Sequence, residues 1–155
     1  MRLLLRVWFR FRAYNEEATR IKGPVLLIPN HLSWIDWLFV GLCVDPDWKF
    51  VASVVPTRHS KLHAWILSNP RIILTDNQSP YAVKEMAAHL EKGGKLILFA
   101  EGRMSRTGTM QRLFDGSGFL LQKTNAKVIT CHLHGAQRVL ASPHKGWTKW
   151  FPKIS

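Results

Sequence analysis

A histidine and a carboxylate stand five residues apart in the run Asn30-His31-Leu32-Ser33-Trp34-Ile35-Asp36. An imidazole oriented by a carboxylate suits general-base chemistry, because the acid fixes the ring and stabilises its charged form. Positions five apart do not share a face of a regular helix. The two side chains can therefore meet only if His31 precedes a helix and Asp36 lies in its first turn. Ser33-x-x-Asp36 reads as a capping box that does this, with Ser33 at the N-cap and Asp36 at the third helical position. The same residues also fit a purely structural reading, in which Asp36 only caps the helix and His31 is a satisfied loop residue.

A second constellation follows the apolar run Lys95-Leu96-Ile97-Leu98-Phe99. There Ala100-Glu101-Gly102-Arg103-Met104-Ser105-Arg106-Thr107-Gly108 brings a carboxylate, a glycine, two arginines and two hydroxyls off a strand end together. Such a loop suits a phosphate: guanidinium groups bind the oxyanion, Gly102 allows close backbone approach, and Ser105 and Thr107 add donors. On its own the segment reads equally well as a solvated basic turn.

The elements that must position these residues alternate along the chain. Apolar runs at 25–29, 49–55, 71–74, 95–100 and 127–133 read as strands, and 33–43, 60–68, 79–91 and 111–124 as helices. Ser79-Pro80 is a helix start and Gly93-Gly94 a helix stop. This alternation predicts an α/β fold, a single domain with a largely parallel sheet covered by helices. Both constellations then fall where strands hand over at their carboxyl ends, the usual place for an α/β active site. At 155 residues and 46% hydrophobic, the chain has enough apolar material for one core.

With these motifs in place, the chain resembles the glycerophospholipid acyltransferases. Their first motif, Asn-His-x-x-x-x-Asp, stands here at 30–36, and their third, Phe-Pro-Glu-Gly followed by arginine, at 99–105. The similarity runs from about Lys22 to about Gln137. It is greatest to the branch that acylates 2-acylglycerophosphoethanolamine, often fused to an acyl-carrier-protein synthetase, through Thr107-Gly108 and Asp115-Gly116-Ser117-Gly118-Phe119. Departures exist: Ala100 and Thr130 replace the prolines usual in the third and fourth motifs, and Val51-Ala52-Ser53 matches the second motif poorly. The proline changes relax a backbone constraint without removing a reacting group.

The resemblance implies an acyltransferase that moves a fatty acyl group from a thioester to the free hydroxyl of a lysophospholipid. That acceptor is 1-acylglycerol-3-phosphate or 2-acylglycerophosphoethanolamine. His31 and Asp36 become the catalytic pair. Asn30, Ser33, Glu101, Gly102, Arg103, Ser105 and Thr107 become the substrate-binding set, with Arg103 on the acceptor phosphate. No Gly-x-Ser-x-Gly elbow exists, so direct transfer is expected rather than an acyl-enzyme. The donor is acyl-coenzyme A or acyl carrier protein, with no bound cofactor and no metal. His132 and His134 beside Cys131 lack a further ligand cluster.

The net charge of +12 demands a partner of opposite sign. The N-terminus favours lipid over nucleic acid. Leu3, Val7 and Phe11 recur at intervals of four with Leu4 and Trp8 alongside, while Arg2, Arg6, Arg10 and Arg12 interleave. This pattern predicts a basic amphipathic helix, contacting the membrane through Leu4, Trp8 and Phe11, although the same three residues also fit a surface helix docked on the domain. The domain plan is thus an N-terminal segment at 1–20 and an acyltransferase domain at 21–155, which stops short for this family. The expected location is the cytoplasmic face of the cell membrane, as a peripheral protein. The two cysteines lie in apolar runs and imply no disulfide framework. Pro143 to Lys153, with Trp147 and Trp150, mixes cations and aromatics again. The alternative to an enzyme is a non-catalytic basic module for anionic lipid or nucleic acid, which accounts for the charge but not for the paired motifs.

Overall fold

The structure, a computed structural model, describes residues 2–53, 64–65, 67–75, 80–140, 142–143 and 152–155, and of residues 2–4 and 80 the backbone only. Five strands, β1 (Val25–Pro29), β2 (Trp48–Ser53), β3 (Ile72–Thr75), β4 (Lys95–Ile97) and β5 (Lys127–Cys131), form one sheet in the order β3-β2-β4-β1-β5. Every pairing is parallel, with Leu26 opposite Leu96 on one side and Val128 on the other. All five residues of β1 are buried, as expected of a central strand covered on both faces. The fold is the single α/β domain that the alternation predicts.

Side chains of β1 alternate between two cores, following the two-residue period of a strand. Val25 and Leu27 join Phe11, Phe39, Val40, Trp48, Leu133 and Ile154 on one face. Leu26 and Ile28 join Met86, Ala87, Leu90, Leu96 and Leu120 on the other. Helix α2 (Asp36–Leu42) covers the first face; α3 (Pro80–Glu91) and α4 (Asp115–Thr124) cover the second. The C-terminus of α3 closes as the glycine pair demands. Gly93, at φ 78°, donates to Leu90 and Gly94 to His89, the paired bonds of a left-handed helix cap. The start of that helix at Ser79, and most of the helix expected at 60–68, lie outside the described residues.

Three local expectations are corrected. Helix α2 begins at Asp36, not Ser33, with Ile35 at its N-cap and no side-chain cap bond. The Ser33 hydroxyl turns to the Asp36 carboxylate instead, because a carboxylate shut away from water needs every donor in reach. Helix α4 begins at Asp115 rather than 111. The amides of Gln111 and Phe114 are drawn off to the Glu101 carboxylate and the Ala100 carbonyl, which holds 111–114 extended.

The third correction concerns the N-terminus. Helix α1 (Arg2–Trp8) has seven residues, after which Arg10 adopts a left-handed conformation, φ 47°. The turn aims Phe9 and Phe11 inward against Phe39, with ring centroids 5.3 and 5.4 Å apart. Phe11 is 5% exposed and therefore belongs to the core, not to a lipid contact. Trp8 is 51% exposed, and the Leu4 side chain lies outside the described residues. Phe9 and Arg12 are bracketed by the C-terminal segment, Ile154 donating to the Phe9 carbonyl and accepting from the Arg12 amide. Ser155 pairs in both directions with His134. Trp147 and Trp150 lie outside the described residues.

Candidate active site

Strands β1 and β4 are neighbours, so the segments that follow them meet although His31 and Glu101 lie 70 positions apart. Asp36 is fully buried. Its Oδ2 accepts from His31 Nδ1 at 2.9 Å, from the Ser33 amide at 2.8 Å and from the Leu32 amide, while Oδ1 accepts from the Ser33 hydroxyl. Hydrogen bonds to a charged group contribute about 1.5–3 kcal/mol each, and four on one carboxylate leave it a single orientation. The sequence reading that joins His31 to Asp36 holds, through a loop rather than through a capping box.

The second segment grips the same histidine from its backbone. The His31 amide donates to Glu101 Oε1 at 3.0 Å, and the His31 carbonyl accepts from the Ser105 amide at 2.8 Å. Phe99 lies over the ring, 4.5 Å between centroids. Nδ1 is thus taken by Asp36. Among the described residues Nε2 has no hydrogen-bond partner, and the side chain is 23% exposed. A carboxylate on one ring nitrogen fixes the tautomer that leaves the other able to accept a proton.

Several residues expected to bind substrate are committed elsewhere. Asn30 is buried and bridges to Leu133 through its amide nitrogen (3.1 Å) and oxygen (2.7 Å). Ser33 serves Asp36. Glu101 is 3% exposed, with Oε2 held by the Gln111 amide at 3.0 Å. Ser105 is buried, donating to the Thr109 carbonyl and accepting from the Gly108 amide. These four side chains build the site and do not present donors to a ligand, because their hydrogen-bonding capacity is spent within it. Gly102, at φ 65°, is exposed; a Cβ there would meet the Phe114 ring at 2.3 Å. Arg103 and Thr107 face solvent beside it, Arg103 with its Nε donating to Gln111 Oε1 at 2.7 Å and Thr107 paired with the Thr109 hydroxyl.

The sequence of this arrangement matches a known family. The family model described as Acyltransferase covers residues 10–134. The chain belongs to the Acyltransferase family. It is 21% identical to two chloroplast 1-acyl-sn-glycerol-3-phosphate acyltransferases, of Brassica napus and of Arabidopsis thaliana, over 92% of this chain and 45% and 43% of theirs. It spans under half the length of these curated relatives. The fold is that of the crystal structure of the 1-acyl-sn-glycerophosphate acyltransferase PlsC from Thermotoga maritima. The TM-score is 0.68 at 20% identity, over 96% of this chain and 62% of that one.

Within this family member, sequence reasoning missed two contributors. Phe99 walls the histidine, and its signal in the sequence is an aromatic residue closing an apolar run ahead of a polar loop. Gln111 ties Arg103 to the Glu101 frame, and nothing about a lone glutamine between Gly108 and Asp115 distinguishes it.

Proposed function

We propose that this acyltransferase moves a fatty acyl group from a thioester donor to the hydroxyl of a lysophospholipid. One observation carries the reading: the buried Asp36 carboxylate holds His31 Nδ1 at 2.9 Å while Nε2 stays open. In the reaction, Nε2 takes the proton of the acceptor hydroxyl as its oxygen attacks the thioester carbonyl. A C–O bond forms, the C–S bond breaks, and the thiolate leaves with the proton returned from the imidazolium. Asp36 orients the ring and stabilises its transient charge. No side chain takes the acyl group.

Arg103 and Thr107, exposed in the phosphate loop together with Gly102 and Arg106, meet the acceptor phosphate, the Arg103 guanidinium as the stronger contact. Asn30, Ser33, Glu101 and Ser105 act as positioning residues. The acceptor is 1-acylglycerol-3-phosphate, the substrate that the relatives' names carry. The Thr107-Gly108 and Asp115-Gly116-Ser117-Gly118-Phe119 run supports 2-acylglycerophosphoethanolamine as the second choice. The donor is acyl-coenzyme A or acyl carrier protein, and the work is done at the cytoplasmic face of a membrane by a peripheral protein. Among the described residues no helix is long and apolar enough to cross a bilayer.

Free thiol released from acyl-coenzyme A or acyl carrier protein, across a panel of lysophospholipids, tests the reading. Release that depends on the acceptor and vanishes in His31→Ala supports it. Release without acceptor, or undiminished in His31→Ala, overturns it.

A further inference from the structure

A pocket of ≈ 320 Å³ lies away from the catalytic histidine, lined by Arg6, Val7, Arg10, Phe11, Arg12 and Lys153. In a continuous helix Arg6 and Arg10 would share a face and Arg12 would point elsewhere. The chain instead leaves its helix after Trp8 and turns at Arg10, at a φ of 47° that non-glycine residues adopt rarely. That turn sets all three arginines around one pocket. Lys153 joins them from far along the sequence, set by the two backbone bonds of Ile154 to Phe9 and Arg12. The described ion pairs give these four cations one carboxylate, Glu16, at 3.9 Å from Arg6. Four gathered cations repel one another unless an anion joins them, and guanidinium forks match phosphate oxygens.

The neighbouring surface says which phosphate. Val7 is 72% and Trp8 51% exposed on the helix that forms the pocket's edge. An apolar side chain and an indole beside a phosphate site suit a headgroup with acyl chains below it. We propose that Arg6, Arg10, Arg12 and Lys153 hold the phosphate of an anionic membrane phospholipid, at a site separate from the acceptor loop of Arg103. This replaces the apolar anchoring by Phe11 with headgroup capture by the turn that Phe11 secures. The pocket also shares a rigid frame with the active site. Arg12 pairs with Ile154, Ser155 pairs with His134, and the adjacent Leu133 is pinned to Asn30 beside His31. Headgroup capture would then fix the height and tilt of His31 against the bilayer.

The proposal shares with the reading above the premise of a lipid acceptor. It is tested without donor or lysolipid, so its failure leaves the transfer chemistry standing. The full chain is sedimented with vesicles of phosphatidylcholine, alone or mixed with phosphatidylglycerol. The variant Arg10→Gln/Arg12→Gln/Lys153→Gln is compared with Arg20→Gln/Lys22→Gln/Lys127→Gln, which removes the same charge from exposed positions outside the pocket. With each cation at an anionic surface contributing several-fold, the pocket variant should lose about a hundredfold in affinity for the mixed vesicles. The control should lose less than about threefold, and both should melt with the unsubstituted protein. If the triple variant melts early, Lys153→Gln alone, at an exposed side chain, should still cost about fivefold. Equal losses in the two triple variants would mean diffuse charge attraction and overturn the proposal, as would full binding by the pocket variant or, in its place, by Lys153→Gln.

Discussion

The segments 30–36 and 99–111 each combine a carboxylate and one or more hydroxyls with nitrogen-bearing side chains, a histidine in the first and arginines in the second, yet they deploy them in opposite directions. In the first, Asn30, Ser33 and Asp36 are all buried and turned inward, and His31 keeps one ring nitrogen open. In the second, Glu101 and Ser105 turn inward to hold the His31 backbone, while Arg103 and Thr107 face solvent. In the proposed reaction, one segment is organised around a proton transfer that tolerates little displacement. The other splits its labour between bracing that transfer and meeting the acceptor. The lesson is that a shared motif does not mean a shared role for its letters.

This contrast predicts a graded series of losses. His31→Ala should abolish transfer with an unchanged fold, and Asp36→Asn should lower kcat by about 10⁴-fold, since the amide favours the wrong ring tautomer. Steady-state rates with acceptor saturating decide it; an Asp36→Asn enzyme within tenfold of the parent would dissolve the distinction between the segments. Glu101→Ala removes the acceptor of the His31 and Gln111 amides, so it should cost about 10²-fold in kcat, the loss expected when a supporting shell lets a reacting group shift. An effect confined to the acceptor KM would place Glu101 with the ligand instead.

Arg103→Ala should do the reverse, raising the acceptor KM about tenfold or more, as expected for a charge-assisted phosphate contact, with the donor KM unchanged. Gln111→Leu frees the guanidinium from its 2.7 Å tether. It should raise the acceptor KM by a few-fold only, because the charge remains and only its preorganisation is lost. Equal changes in donor and acceptor KM for either variant would place the phosphate loop on the donor.

The smallest effect separates activity from stability. Half-buried His89 on α3 is held below its ordinary value of 6.5, first by desolvation and then by nearby Lys49. A histidine whose folded value is lowered binds its proton better when unfolded. Its contribution is therefore complete above about pH 6.5 and is lost as the pH falls below it. Denaturant midpoints should drop on acidification through that window, and His89→Gln should flatten the slope. Loss of turnover that persists in His89→Gln over the same window belongs to the site, not to the fold.

Much of this was legible beforehand. The five strands are short apolar runs whose length and β-branched content leave little choice, and the His31–Asp36 encounter follows from a loop entering a helix. What stayed hidden depends on burial that no local pattern reports. Ser33 and Asp36 read as a helix cap because spacing shows which groups can reach each other, not which are cut off from water. Ser105 reads as a ligand donor, and Glu101 as part of the substrate-binding set, for the same reason. Phe11 fell on an amphipathic helical stripe, and only the left-handed turn at Arg10, made with a residue that seldom takes that conformation, redirects it to Phe39. Gln111 acts through a pairing set by the extended path of 111–114, which in turn depends on Glu101.

The insertion of β4 between β1 and β2 reaches beyond geometry to how the protein becomes active. β1 and β2 are consecutive strands in the chain but do not pair; the strand that separates them follows α3 in the sequence. Until it is seated, His31 lacks both the Glu101 carboxylate that accepts from its amide and the Ser105 amide that donates to its carbonyl. Contacts of such sequence separation form late and slowly in parallel sheets. Recovery of turnover during refolding therefore times the closure of the whole sheet, and a collapsed chain with helices but no seated β4 stays silent in the assay.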